Sequence, residues 1–227
     1  MMRDRGVWLL LLLEVVAASL AYNACGWACA SPLIVLMGLT VYFHREPACR
    51  VPPSPLAVVS PVYGRVTGVE PARDPYLQRD ARRVEIRMPL LGPYLLRSPI
   101  EGQVMQQWAL PEGSETVPVA EDGALAQRAG DGEARFAVWL QTDEHDDVVM
   151  VLRGAFITHR LHYAVPVGER VGQGQRCGRV QFAASAEVYL PLASRLAAAP
   201  GDALEAGSAI IATFIHKTSP PGHGAPV

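Results

Sequence analysis

A chain of 227 residues with a formal net charge of −2 holds one ordinary domain once an apolar N-terminal stretch is set aside. Its only lysine is Lys217, and its arginines form no basic run, which excludes an electrostatic footprint for nucleic acid. The four cysteines, Cys25, Cys29, Cys49 and Cys177, form no CxxC pair and have no histidine at metal-ligand spacing. We therefore expect neither a metal site nor a disulfide.

The first predicted element is an apolar segment from Val7 to Phe43. One helix of this length would reach about 55 Å, well beyond a hydrocarbon core of about 30 Å. Asn23, Gly26 and Ser31–Pro32 interrupt the segment, and proline disfavours helix both at its own position and at the one before it. The pattern predicts a membrane-anchoring helical hairpin over residues 1–47, with helices at about 7–22 and 32–43.

Basic residues flank both predicted helices. Arg3 and Arg5 precede the first, and Arg45 and Arg50 follow the second. By the positive-inside rule, both ends of the hairpin face the cytoplasm, which places the remainder of the chain on the cytoplasmic side of the membrane.

Two other interpretations of the apolar segment stay open. One is a signal peptide cleaved near Ser19-Leu20-Ala21, although Glu14 would then interrupt its hydrophobic region. The other is a single tilted span. Glu14 itself is interpreted as a carboxylate near the end of a short helix that reaches the headgroups, with a functional intramembrane carboxylate as the alternative.

Beyond a proline-rich linker at Val51–Pro55, short apolar-alternating runs bounded by Gly, Pro and Asp predict a mostly β domain over residues 48–216. The acidic, Gly-rich stretch Glu112–Asp131 is expected to be an exposed loop, and residues 217–227 a disordered tail. The predicted strands are Leu56–Val59, Arg65–Val69, Arg83–Met88, Gly102–Trp108, Ala134–Gln141, Asp147–Leu152 and Arg160–Val165.

Two internal repeats lie within this domain. Ser60–Val66 and Ser98–Val104 share the pattern SPxxGxV, while Val167–Gly174 and Pro200–Gly207 share two glycines and an acidic residue after the first. A turn, a buried aliphatic residue and a returning strand build the hairpins of biotinyl/lipoyl-type sandwiches, so we expect a barrel-sandwich-hybrid-like fold. Neither of the later repeats has the lysine that would carry a cofactor, so both are interpreted as scaffold.

Four blocks of sequence, taken in order, resemble the short, membrane-anchored bacterial form of phosphatidylserine decarboxylase. Phe43–Pro47 resembles the family's Phe-Phe-Arg-Asp-Pro, and Val58–Val66 resembles Val-Val-Ser-Pro-Ala-Asp-Gly-Lys-Val. Met88–Gly102 resembles the stretch that ends Asn-Arg-Ala-Pro-Val-Ser-Gly. Phe182–Pro191 resembles Phe-Gly-Ser-Arg-Val-Asp-Val-Tyr-Leu-Pro.

The resemblance implies a location at the bacterial inner membrane and a particular chemistry. Members of the family cleave their own backbone at a Gly–Ser bond, and the serine becomes a pyruvoyl group. That group forms a Schiff base with phosphatidylserine and acts as the electron sink for loss of CO₂, which gives phosphatidylethanolamine. Self-cleavage requires a serine, a histidine that activates it and an aspartate that orients the histidine.

All three of these positions are substituted in this chain. The family's aspartate falls on Tyr63, its histidine on Tyr94 and its serine on Ala184. A tyrosine with an ordinary pKa of about 10 does not replace imidazole at pH 7, and alanine has no oxygen with which to attack. We therefore expect a non-catalytic homologue without a cofactor, which binds membrane phospholipid or serves as a structural subunit beside other membrane proteins.

An active enzyme is the alternative. It would use Ser185 after a one-residue shift of the alignment, with His159 or His162 as the base, and only then would the chain carry a covalent pyruvoyl group. Arg97 matches the family's arginine and is predicted to bind a lipid phosphate or carboxylate, or else to pair with Glu101. Tyr63 and Tyr94 would line the same pocket.

Overall fold

The computed structural model describes residues 5–44, 49–89, 95–110, 135–154, 161–180 and 183–215. These fall into two units, one formed by two N-terminal helices and the other by the strands. The predicted acidic loop and C-terminal tail lie outside the described residues.

The apolar segment forms two helices, α1 (Arg5–Cys25) and α2 (Trp27–His44). The break between them is Gly26, whose φ of 72° is the left-handed conformation that glycine adopts without steric cost. The predicted break extended from Asn23 to Ser31–Pro32, which is too long, since α2 begins at Trp27 and continues through Pro32. Pro32 has no N–H for the carbonyl of Ala28, but the Ser31 hydroxyl lies 3.4 Å from that oxygen and donates to it instead.

Glu14 connects the two helices. It lies in the middle of α1 rather than near a helix end, and its Oε1 is 2.9 Å from the hydroxyl of Thr40 on α2. The carboxylate therefore bonds within the helix pair, contrary to our interpretation that it reaches outward. Large apolar side chains such as Trp8, Trp27 and Val35 remain about two-thirds exposed. By length and composition, the segment Trp8–Cys25 is the one described helical segment that suffices to cross a membrane.

The second unit is mostly β. Each predicted strand coincides with an observed strand, although the last, predicted over Arg160–Val165, is a strand only at Leu161–Tyr163. In chain order the strands are β1 (Ala57–Val59), β2 (Gly64–Asp74), β3 (Arg79–Arg87), β4 (Leu95–Arg97), β5 (Gly102–Leu110), β6 (Arg135–Gln141), β7 (Asp147–Gly154), β8 (Leu161–Tyr163), β9 (Arg170–Val171), β10 (Arg176–Val180), β11 (Ala183–Pro191), β12 (Arg195–Leu196), β13 (Ala203–Leu204) and β14 (Ile210–Thr213).

These strands form one large curled sheet and two small ones, in which neighbouring strands run antiparallel. The large sheet has the order β13-β2-β3-β11-β7-β6-β5-β9, and the small ones β1-β14-β12 and β4-β10-β8. Alternate side chains on the large sheet, such as Ile86, Met150 and Val188, point into the main core and are fully buried. The opposite face of the same sheet, here called the outer face, carries the remaining alternate residues.

The internal repeats pair crosswise. The first SPxxGxV segment pairs with β13 through Gly64 and Leu204, and the second pairs with β9 through Gly102 and Val171. Equivalent bonds recur at each place. The N–H of Val66 donates to the carbonyl of Asp202, and that of Val104 to the carbonyl of Glu169, both at 3.0 Å. The glycines of the later repeats, Gly168, Gly174, Gly201 and Gly207, all have φ between 68° and 98°.

We expect Gly64→Ala and Gly102→Ala each to lower the free energy of unfolding by about 2–3 kcal/mol. A Cβ at Gly64 would overlap the carbonyl oxygen of Arg87, and one at Gly102 would overlap that of Gln141. Backbone atoms of paired strands yield little, so the overlap persists. Gly68→Ala is the matched control, because its Cβ would meet nothing closer than Glu85 Oε2 at 3.9 Å. Urea unfolding of the three variants measures the effect, and equal losses at all three positions would contradict it.

Candidate functional site

Ala184, the position that the resemblance aligns with the family's serine, lies at an irregularity in β11. Ala183 pairs with Gly154 on β7 and Ser185 pairs with Arg153, so the intervening Ala184 has no partner on that strand. On the other side, pairing with β3 begins only at Ser185. Such β-bulges are frequent next to active sites, because they redirect the local backbone. The chain therefore has a bulge at this position but no hydroxyl there.

Tyr63, which the resemblance aligns with the family's aspartate, is half-buried just before β2. Burial raises the pKa of Tyr63 above its ordinary value, and the nearby Arg97 guanidinium opposes part of that rise. The phenol is therefore neutral at pH 7. The next residue, Gly64, abuts Arg87, and Arg87 pairs directly with Ser185. Tyr63 thus lies two strands from the bulge.

Tyr94 lies outside the described residues, which resume at Leu95 in β4. The backbone N–H of Arg97 in that strand donates to the carbonyl of Pro61 at 2.9 Å. β4 therefore runs beside the segment that carries Tyr63. The structure therefore brings Arg97 close to the segment that carries Tyr63.

Ser185, the predicted alternative nucleophile, sits in a strand that is paired on both sides, between Arg87 and Arg153. Among the described histidines, His145 precedes Asp147, which is six residues from Arg153 along β7, about 20 Å away. His162 belongs to β8, in the small sheet that does not contain Ser185. His159 lies outside the described residues.

Arg97 is partly buried, and its Nη1 donates to the carbonyl of Gly174 at 2.9 Å. Its aliphatic stem lies against Gly207, where an added Cβ would approach Arg97 Cδ to 2.6 Å. Arg97 therefore contacts a glycine from each of the later repeats. Within the described residues it has no carboxylate within 4.0 Å, so the predicted pair with Glu101 is not formed.

Glu187 is a charged group that the sequence did not single out. It lies on the outer face, only 3% of its side chain is exposed, and its Oε1 is 2.6 Å from Arg153 and 3.6 Å from Arg83. The hydroxyl of Tyr189 donates to Oε2 at 2.9 Å. Burial and the Glu187 carboxylate raise the pKa of Tyr189, so this hydroxyl keeps its proton. The available signal was the motif itself, where Glu187 stands in place of the family's aspartate.

One row of the outer face is rich in arginine. Residues directly opposite each other on paired strands project from the same face. Arg65 pairs with Arg87, Arg87 with Ser185, Ser185 with Arg153, and Arg153 with Arg135. The arginine row, as we call these four arginines, therefore crosses five strands and contains Ser185 at its centre.

Tyr76 and Trp108 pack on the same face, with ring centroids 5.1 Å apart. Burial raises the pKa of Tyr76 to about 12, while Arg135 and Arg153 oppose the rise. The aromatic pair thus borders the arginine row. Among the described residues, no group of three or more His, Cys, Asp or Glu side chains is arranged to hold a metal ion.

Comparison with known proteins gives a consistent family. The model of the family described as phosphatidylserine decarboxylase matches residues 36–212. Proteins named "Phosphatidylserine decarboxylase proenzyme" from Aromatoleum aromaticum and Burkholderia cenocepacia are each 32% identical over 205 residues, 90% of this chain and 92% of theirs. The protein of the same name from Nitrosomonas eutropha is 32% identical over 200 residues, 88% of this chain and 89% of its own. No solved structure matches.

Proposed function

This chain belongs to the phosphatidylserine decarboxylase family, and we propose that it is a member that neither cleaves itself nor decarboxylates phosphatidylserine. Its role is instead to bind phospholipid or to support a membrane complex at the bacterial inner membrane. The family is that of a carboxy-lyase, so the proposal concerns how this member departs from its relatives.

The observation that carries the proposal is the bulge in β11. Ala184 occupies the bulged position, and a methyl group has no oxygen to attack the preceding carbonyl or to become a ketone. Its neighbour Ser185 is flanked by Arg87 and Arg153 rather than by a base. Tyr63, neutral at pH 7, also lacks the negative charge with which an aspartate orients a histidine.

We also propose the finer features of architecture and location. The crosswise pairing of the two repeat types supports a barrel-sandwich-hybrid-like arrangement over residues 48–216. The exposed apolar surface of α1 and α2 supports a transmembrane hairpin as the anchor, with the β unit on the cytoplasmic side. Tyr63, Tyr94 and Arg97 are proposed to border the former pocket, where the phenols take up space that a substrate would need.

The mass of the polypeptide under denaturing conditions tests the proposal. We expect a single chain of 24.5 kDa from membranes of the native host, and an unchanged result for Ser185→Ala. A self-cleaving enzyme would instead give two pieces, the smaller of which begins at residue 184 or 185 with a blocked N-terminus. A pyruvoyl-capped fragment that disappears in Ser185→Ala would establish the active alternative and overturn the proposal.

A further inference from the structure

The arginine row has an arrangement that folding alone disfavours. Arg65 lies directly opposite Arg87, and Arg135 lies directly opposite Arg153. Side chains in such positions have Cβ atoms about 5 Å apart, and like charges there are destabilising. An anion bound between or above these two pairs would reduce the repulsion within each pair.

Within the described part of the chain, carboxylates neutralise only part of this positive charge. Glu187 bonds Arg153 but is shared with Arg83, and Arg65 donates to the carbonyl of Gly201 at 2.7 Å. In the described part of the chain, neither Arg87 nor Arg135 has a carboxylate within 4.0 Å.

The two remaining arginines differ in exposure. Arg87 is exposed to solvent, whereas Arg135 is partly buried and its Nε lacks a hydrogen-bond partner among the described residues. Glu85 lies opposite Glu187 on the outer face, next to the arginine row. Its carboxylate is not within 4.0 Å of any of the four arginines. The arginine row therefore combines the accessible guanidinium of Arg87 with the partly buried Nε of Arg135, which has no hydrogen-bond acceptor among the described residues.

We infer that the arginine row binds the phosphodiester group of an anionic phospholipid. A guanidinium presents two parallel donors that match phosphate oxygens, and it is less strongly hydrated than an ammonium group. Neighbouring strands are about 4.8 Å apart, so the row spans about 19 Å, enough for more than one headgroup. All four cations of the row are arginines.

The choice of a lipid rests on the proposed function, in which the chain is tethered to a membrane. Residues 45–56 separate the end of α2 from β1, and twelve extended residues reach at most about 43 Å. The tether thus keeps the β unit near a surface whose abundant anions are phosphodiesters. The row includes Ser185, which the active alternative would use as its nucleophile.

Native mass spectrometry of the full chain in a neutral detergent tests the inference, with phosphatidylglycerol as the probe and phosphatidylcholine as the zwitterionic comparison. We expect the double variant Arg87→Gln/Arg135→Gln to bind phosphatidylglycerol about ten-fold more weakly than the wild type. Binding of phosphatidylcholine should not change. Arg73→Gln/Arg195→Gln removes two exposed arginines outside the row and should leave both lipids unaffected.

Additional variants and a competing ligand separate the effect of charge from that of folding, and a lipid from a free anion. Arg87→Lys/Arg135→Lys, which keeps the charge, should retain most of the binding, and Arg87→Gln alone serves if the glutamine double variant does not fold. Equal losses in the two glutamine double variants, or none in either, would overturn the inference. Displacement of the lipid by inorganic phosphate would assign the row to free phosphate instead.

The acidic segment between β5 and β6 provides the remaining alternative. It joins Leu110 to Arg135 at one end of the row and contains six carboxylates, which are Glu112, Glu115, Glu121, Asp122, Asp131 and Glu133. If these neutralise the row, Arg87→Gln/Arg135→Gln should destabilise the fold without changing lipid binding, and the inference fails. The same spectra report whether the chain is cleaved, so the proposed function is judged separately from the lipid site.

Discussion

Replacing Glu187 by alanine is expected to lower the free energy of unfolding by about 3–5 kcal/mol. The side chain is buried and contacts Arg83, Arg153 and Tyr189, so its removal leaves two guanidinium groups and a hydroxyl without their shared acceptor. The cost arises from the partners left behind, because partly buried cations that lose their counter-charge must be desolvated without compensation. Urea unfolding measured by circular dichroism gives the value.

Two matched variants locate the source of that cost. Glu70→Ala removes another carboxylate that contacts Arg83, but Glu70 is more than half exposed, so we expect a loss below about 1 kcal/mol. Glu187→Gln keeps the shape and the acceptor oxygen while it removes the charge, and its effect should lie between the other two. If Glu187→Ala cost no more than Glu70→Ala, Glu187 would not be the centre of the outer-face charges.

Restoring the family's residues is expected to restore self-cleavage. The combined variant Ala183→Gly, Ala184→Ser, Tyr63→Asp and Tyr94→His supplies the scissile Gly–Ser bond, the nucleophile, the orienting carboxylate and the base on a backbone that has a bulge at position 184. We expect at least about a tenth of the polypeptide to appear as two fragments after overnight incubation, because the nucleophile, base and orienting carboxylate are then all present. A denaturing gel and the mass of the smaller fragment provide the measurement.

The single variant Ala184→Ser is the control, and it should remain uncut because a serine hydroxyl without a base is a weak nucleophile. Cleavage in that variant would mean that another group of the chain already acts as the base. A folded quadruple variant that stays intact would show that the loss of processing extends beyond these positions, and would contradict the view that the substitutions alone account for it.

Seven strands could be predicted from sequence because their inward residues alternate so regularly, whereas β4, β10, β11 and β14 were not predicted. Val84, Ile86 and Met88, for example, are separated by polar residues, and all three are buried. The two-residue strands β9, β12 and β13 carry no such period, because two residues cannot show alternation. Their existence follows from pairing across the fold, which local sequence does not encode.

The break between the two helices shows a different limit of prediction from sequence. Sequence alone offered three interruptions of the apolar segment, and only Gly26 ends a helix. Pro32 is accommodated because the neighbouring Ser31 hydroxyl supplies a donor to Ala28, a compensation that depends on the rotamer of one side chain. The position of Glu14 was misjudged for a related reason, since its bond to Thr40 forms only after the helices have packed.

The motifs predicted which positions form the candidate site, but not which charged groups lie around them. The motifs identified positions 63 and 184, and the structure places their chain segments two strands apart. The arginine row was not foreseen, because Arg65, Arg87, Arg135 and Arg153 come from four strands and form a line only through their register. A single sequence contains each arginine but not their alignment.

The location of β11 determines whether the two fragments of a cleaved chain would stay associated. β11 lies between β3 and β7 and is bonded along its length to both, while β13 and β14, further along the chain, are bonded to β2 and β1. A nick just before residue 184 would therefore leave the C-terminal portion interlocked with the remainder as an ordinary non-covalent complex. The strand pairing alone therefore holds the C-terminal portion in place, whether the backbone before residue 184 is intact or cut.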